Sequence, residues 1–311
     1  MNKLKNLYTI VVFFISSYGN GQMAADTAFE KTVFWQITGN GLTDTSYLFG
    51  TMHPVFREDV HIAENMLSAL LNSKTVFFEH ALYNTGDSAY IEISRMEKPV
   101  LRRLLGGICF ELLEKHLEKY NDTLLSSPLL LQLDPGYIGA RVIKNIFGPA
   151  VTSIDATIMA IALGNGQPVS YLDTREMEQE LKELIPLDEK ATQLYYFLRN
   201  IEKAQRLYIK QVKDFTRLYY SGNFGYIYTR TTYLQINDRL GGLHITANSL
   251  SEKMLDNRNK KWLPAMTAAI QKQSSFFAVG AAHLAGSAGL INLLRKKGFT
   301  LTPIFLEYKQ D

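Results

Sequence analysis

Cysteine is nearly absent: Cys109 is the only one in 311 residues. A single thiol excludes an intramolecular disulfide and any Cys-rich zinc site, so a bound metal has to use His, Asp or Glu. Cys109 falls in the apolar pattern Leu104-Leu105 to Leu112-Leu113, which suits a small buried residue rather than a nucleophile. A strong charge of one sign is missing too, because 33 basic side chains face 30 acidic ones, a formal +3. Binding to nucleic acid requires Lys and Arg clustered on one face. Arg102-Arg103, Arg295-Lys296-Lys297 and the 257–261 segment come nearest to that, and the first two read as solvated helix ends. No nucleic-acid partner is expected. The metalloprotease signatures His-Glu-x-x-His and His-x-x-Glu-His are also absent; Val76 stands where the second would need His ahead of Glu79-His80.

Long apolar runs are lacking as well. The run Leu7 to Ile15 follows Lys3 and Lys5 and precedes the small, polar stretch 16–22. It is too short for a bilayer-spanning helix, which needs about 20 apolar residues, and it has the layout of a signal peptide. The expectation is a signal peptide over 1–21, export to the periplasm or the cell exterior, and no membrane-spanning segment afterwards. Cleavage ahead of Gln22 removes Lys3 and Lys5 and no acid, lowering the charge from +3 to +1. At 46% hydrophobic and 20% charged residues, the remainder has the composition of a globular chain able to bury a full core, and 22–311 is expected to form one domain.

The periodicity alternates between strands and helices. Thr32 to Ile37 and Ser46 to Gly50 read as strands joined by turn residues at 39–44, a hairpin. Glu64 to Leu71 has helical spacing and Thr75 to Phe78 is a β-branched and aromatic run; strand, helix, strand is the crossover unit of a parallel sheet. Helical patterns follow over 99–120, 128–147 and 156–163, then a strand over Val169 to Leu172. A Tyr- and Leu-rich helical region, about 176–273, reads as a cap, and the chain closes with strand 276–279, helix 289–296 and strand 300–306. The predicted class is α/β: a mixed, largely parallel sheet built from two halves, with a large helical insertion.

Three of these strands end on residues that apolar strands do not normally choose. Tyr47 to Gly50 leads to His53, Val76 to Phe78 leads to Glu79, and Phe276 to Val279 leads to His283. Each of these histidines stands in Gly-x-x-His, as Gly50-Thr51-Met52-His53 and Gly280-Ala281-Ala282-His283. Glycine lets the backbone turn sharply or approach a ligand, since it lacks Cβ and tolerates positive φ. Ligands of open parallel sheets bind beyond the carboxyl ends of the strands, so His53, Glu79 and His283 are expected to share one cleft. Two imidazoles and a carboxylate suit Mn, Co, Fe or Zn with open positions left for water and substrate, and hydrolysis is the reaction class that follows. Without a metal, the same groups serve general acid–base chemistry. His80 should face away from the cleft, and His61, His116 and His244 are expected at the surface.

The chain resembles the TraB/GumN family, which includes the Tiki proteins. The resemblance is carried by 47–53, 76–79, 153–155, 168–174 and 258–262, and above all by Ala278-Val279-Gly280-Ala281-Ala282-His283-Leu284-Ala285-Gly286 with 289–299. It implies a metalloprotease dependent on Mn or Co, with a peptide or protein substrate and His53, Glu79 and His283 at its centre. It adds Arg258 and Asn259 as catalytic partners of Glu79, a guanidinium and an amide being suited to a developing oxyanion. Asp155 and Asp173 stand where the family pattern has Glu. Gly286 and Gly289 serve either an anion at a helix start or tight packing. The alternative function is a non-catalytic protein holding haem, metal or a peptide against an aromatic wall from Tyr219-Tyr220 and Tyr226 to Tyr233.

Overall fold

The computed structural model describes residues 32–81, 88–222 and 252–308. The N-terminal segment expected to direct export, His244 and Tyr226 to Tyr233 lie outside the described residues. The hairpin forms as the sequence implies. Strands β1 (Phe34–Gly39) and β2 (Ser46–Thr51) pair antiparallel, and the turn between them runs through positive φ at Gly39, Asn40 and Gly41. After a short β3 (Val55–Phe56) and helix α1 (Glu64–Asn72) the chain returns as β4 (Thr75–Phe78).

The next part is helical: α2 (Ser88–Ile93), α3 (Leu101–Lys119) and α4 (Pro135–Phe147). Helix α3 is broken at Gly106, where φ is 72°, a value glycine adopts without steric cost. Then come β5 (Val151–Thr152), α5 (Ile154–Gly164), β6 (Val169–Tyr171), α6 (Arg175–Glu183), α7 (Leu187–Arg199) and α8 (Ile201–Tyr220). A π-helical turn at Glu252–Asp256 leads into α9 (Asn257–Lys272), followed by β7 (Ser275–Gly280), α10 (Leu290–Lys296) and β8 (Phe299–Ile304).

Six strands make one mixed sheet in the order β6-β4-β7-β2-β1-β8. The four from β6 to β2 are mutually parallel, while β1 runs against both of its neighbours. Alternation along β7 builds both faces of the core. Phe276 and Ala278 pack with Met66, Leu70, Ile158 and Met159 of α1 and α5. Phe277 and Val279 pack with Trp262, Met266, Ile270 and Leu290 of α9 and α10. A separate apolar core joins α3, α4, α7 and α8 through Leu113, Ile138, Leu194 and Tyr208, so the cap draws on helices before β5 as well as after β6.

Cys109 is buried in the cap core, and burial pushes its thiol up to about 11, as expected of an inert residue. His116 differs from expectation. It is only 6% exposed, because α3 turns Leu113, His116 and Leu117 inward together, all three buried. His61 is exposed, against Tyr220.

Candidate active site

The four parallel strands deliver their C-terminal residues to one edge. Thr51 of β2 is paired with Gly280 of β7, so the two Gly-x-x-His segments leave neighbouring strands one residue out of step. On the other side of β7, Phe78 pairs with Ala278, which brings Glu79 beside Gly280. The Gly280 N–H donates to Glu79 Oε1 at 2.6 Å. Strand β6 contributes a residue that strand-end reasoning passed over. The Asp173 N–H donates to the Glu79 carbonyl at 2.7 Å, and the Asp173 side chain turns inward to the same cluster.

Both motif glycines are required for space rather than for φ, since neither has positive φ. A Cβ on Gly50 would lie 3.0 Å from Ala281 Cα and 3.0 Å from Leu284 Cδ1, and one on Gly280 would lie 3.1 Å from Glu79 Oε1. Gly289 is likewise explained by packing, because a Cβ there would sit 2.2 Å from the Ala285 carbonyl oxygen.

Arg258 is the hub. Its Nε and Nη2 donate to Asp173 Oδ1 and Oδ2 at 3.2 and 2.6 Å, and Nη2 also donates to Glu79 Oε2 at 2.8 Å. Nη1 donates to the Met254 carbonyl at 3.3 Å and to His283 Nε2 at 3.2 Å. All five guanidinium N–H groups thus have acceptors. The guanidinium lies over the Trp262 ring, 4.6 Å from its centroid, and Trp262 Nε1 donates to Asp173 Oδ1 at 2.8 Å.

Asn259 fixes the state of His283. Its Nδ2 donates to the carbonyls of His283 and Ala288 at 3.1 and 2.9 Å, which leaves Oδ1 as the acceptor facing His283 Nδ1 at 2.7 Å. His283 therefore carries its proton on Nδ1 and presents an Nε2 lone pair, 3.6 Å from Glu79 Oε1. Burial, with Arg258 adding repulsion and Glu79 opposing, lowers His283 to about 3. Burial works against ionisation of Glu79, but the cationic charges of His283 and Arg258 outweigh it and hold the carboxyl well below its usual range. Because His283 is neutral at ordinary pH, Arg258 is the cation that keeps Glu79 ionised there.

His53 is exposed beyond the end of β2 and acts electrostatically on Glu79, Asp155 and His283. Thr51 Oγ1 donates to Asp155 Oδ1 at 2.5 Å. Tyr219 is buried and donates to the Gly50 carbonyl at 2.6 Å, a core role rather than an open aromatic wall. His80 is half-buried, its Nδ1 3.0 Å from the Ala81 carbonyl.

The residues foreseen from the sequence thus gather at one edge, with different duties. Glu79 and His283 are adjacent, His53 lies exposed beyond β2 and reaches them only electrostatically, and Arg258 and Asn259 position Glu79 and His283, with no donor left for an oxyanion. Among the described residues, no three His, Cys, Asp or Glu side chains stand close enough together to hold a metal ion as placed. The donor chemistry nevertheless fits a divalent cation. His283 Nε2 carries a lone pair that accepts from Arg258, Nδ1 is tied to an amide oxygen as in metal-ligating histidines, and a buried carboxylate oxygen, Asp155 Oδ2, has no hydrogen-bond partner among the described residues.

The sequence profile of the TraB/PrgY/gumN family matches residues 33–303, from the start of β1 into β8. The chain belongs to the TraB/PrgY/gumN family. Comparison with curated proteins and with solved structures returned no match. The match encloses every strand end described above, so the two Gly-x-x-His segments, Glu79, Asp173 and the α9 residues all lie within the TraB/PrgY/gumN region. None of the described helices is long and apolar enough to cross a membrane.

Proposed function

We propose that the protein is an exported, metal-dependent hydrolase that cleaves peptide bonds. The observation that carries this reading is the protonation pattern of His283, whose Nδ1–H donates to Asn259 Oδ1 while its Nε2 lone pair accepts from Arg258 beside the Glu79 carboxylate. A buried neutral imidazole beside an ionised carboxylate at the ends of parallel strands is a donor pair suited to a divalent cation. His53, Glu79 and His283 are the residues that would hold Mn, Co or Zn. When bound, such an ion lowers the pKa of a water molecule and polarises a carbonyl.

The chain's own groups prepare this chemistry. Asp173 and Trp262 hold Arg258, Arg258 keeps Glu79 deprotonated, and the Gly280 N–H orients Oε1. Asn259 locks the His283 ring. When Nε2 is needed for a ligand, Arg258 Nη1 yields that contact and keeps the Met254 carbonyl as its acceptor. The peptide substrate comes from the resemblance to Tiki-like members, and export from the residues at 1–21. The test is peptide cleavage by the protein lacking 1–21, with and without chelator, beside His53→Ala and His283→Ala. Loss of cleavage in all three arms supports the reading; cleavage unchanged by chelator and by both substitutions overturns it.

A further inference from the structure

Helix α8 divides its two faces sharply. Ala204, Tyr208, Val212, Thr216 and Tyr219 are buried and face the interior. The exposed positions are Glu202 and then Lys203, Arg206, Lys210, Lys213 and Arg217. These five cations recur at intervals of three and four, the spacing that lines side chains up along one side of an α-helix, so they form one straight ridge about 21 Å long. No contiguous basic run marks the ridge in the sequence, because buried and half-buried residues separate its members.

Neighbouring acids do not cancel the ridge. Asp214 pairs with Lys210 at 2.6 Å and with Arg217 at 3.1 Å, but these two cations keep 60% and 77% of their side-chain surface in water, where such pairs are weak. With Glu202 and Asp214 included, α8 carries a net +3, while residues 22–311 together carry +1. The excess positive charge of the chain therefore resides on this helix.

Two features select the kind of partner. Three of the five cations are Lys, hydrated point charges on flexible stems, and they stand on a convex helix surface, which suits a diffuse negative plane rather than a discrete anion. The same line reaches Tyr220 one step after Arg217; Tyr220 is half-buried, and its ring lies edge-on to that of Tyr308, 5.9 Å away and 39% exposed. Tyrosine, apolar in its body and polar at its tip, belongs at a water–lipid boundary. Since the apolar face of α8 is already buried, contact takes place at the level of the headgroups. We infer that the α8 ridge is a docking surface for a bilayer rich in anionic lipid, holding the chain at a membrane without a spanning segment. This goes beyond the proposed hydrolase and requires neither metal nor cleavage.

The test is co-sedimentation with vesicles of phosphatidylcholine, alone or mixed equally with phosphatidylglycerol. The protein lacks 1–21, so that the apolar run Leu7 to Ile15 does not itself hold lipid. Binding should require phosphatidylglycerol and should vanish between about 0.1 M and about 1 M NaCl, as the screening length shrinks from about 10 Å to about 3 Å. Each Lys or Arg near an anionic surface contributes about fivefold in affinity. Lys203→Gln/Arg206→Gln/Lys213→Gln spares both partners of Asp214 and should bind about a hundredfold more weakly, with an unchanged melting temperature. Arg103→Gln/Lys296→Gln/Lys297→Gln removes the same charge from exposed positions elsewhere and should keep most of the affinity. Should the ridge variant fail to fold, Lys203→Gln and Arg206→Gln singly should each weaken binding about fivefold. Absence of binding to the mixed vesicles, equal binding to phosphatidylcholine alone, binding that survives high salt, or equal loss in the two triple variants overturns the inference. Capture of a DNA duplex in place of the vesicles also overturns it, making the ridge a nucleic-acid surface. Vesicle binding is read without reference to metal or cleavage, so its failure is distinct from failure of the hydrolase reading.

Discussion

Asp173 grips Arg258 through both carboxylate oxygens, at 2.6 and 3.2 Å, from the end of the strand next to the one that carries Glu79. The pair is buried, and removing one partner of such a pair leaves an uncompensated charge. Asp173→Asn should destabilise the protein by roughly 3 kcal/mol, measured by urea unfolding. It should also lower kcat, since Arg258 would no longer be held against Glu79. An unchanged unfolding midpoint would contradict this role.

Asn259→Ala removes donors from two buried carbonyls and the acceptor that selects the His283 tautomer. A stability loss of about 2 kcal/mol is expected from the unsatisfied carbonyls, together with metal affinity weaker by about tenfold or more. Nitrogen-15 NMR of the imidazole should report the Nδ1–H form in the wild type and a mixture of tautomers in the variant. The Nε2–H form in the wild type would remove the basis for the proposed ligand.

The two motif glycines separate folding from chemistry. Gly50→Ala drives a methyl into the Ala281 backbone and Leu284 and should cost about 1–3 kcal/mol, the usual price of overpacking. Gly280→Ala instead meets the Glu79 carboxylate. It should fold almost normally yet lose activity by about tenfold to a hundredfold, because small misplacements of reacting groups are expensive. Thermal melts and peptide cleavage on both variants check this; the reverse pattern would refute it.

Burial, with Lys119 assisting and Asp122 opposing, lowers His116 to about 4, whereas in the unfolded chain it titrates near 6.5. Between these values the unfolded chain binds the proton and the native protein does not, so stability falls as pH drops from about 6.5 to about 4. The full effect amounts to about 3 kcal/mol. Among the described residues the Nε2 of His116 has no partner, so His116→Leu should flatten the stability profile in that window with little cost at pH 8. A slope unchanged by the substitution would show that other groups carry it.

Much of this site is legible in the sequence because strand ends are local events. A β-branched or aromatic run that stops on His or Glu is visible without knowing its neighbours, which is how His53, Glu79 and His283 stand out. Strand order is not local. That β6 lies beside β4, bringing Asp173 to Arg258, depends on pairings between distant segments, and a short strand ending in Asp looks like an ordinary turn. Of the two reasons a strand-end glycine offers, close approach and positive φ, the first applies at Gly50 and Gly280, where Ala281, Leu284 and Glu79 crowd the missing Cβ. His116 is buried against expectation because a polar residue between Leu113 and Leu117 looks solvent-facing until the cap helices close over it.

The most direct measurement is elemental analysis of the protein lacking 1–21, purified without a metal-affinity step, beside the double variant His53→Ala/His283→Ala. About one equivalent of Mn, Co or Zn in the wild type and none in the double variant is the predicted result. Equal metal content in the two, or a fully active wild type carrying none, would contradict the account.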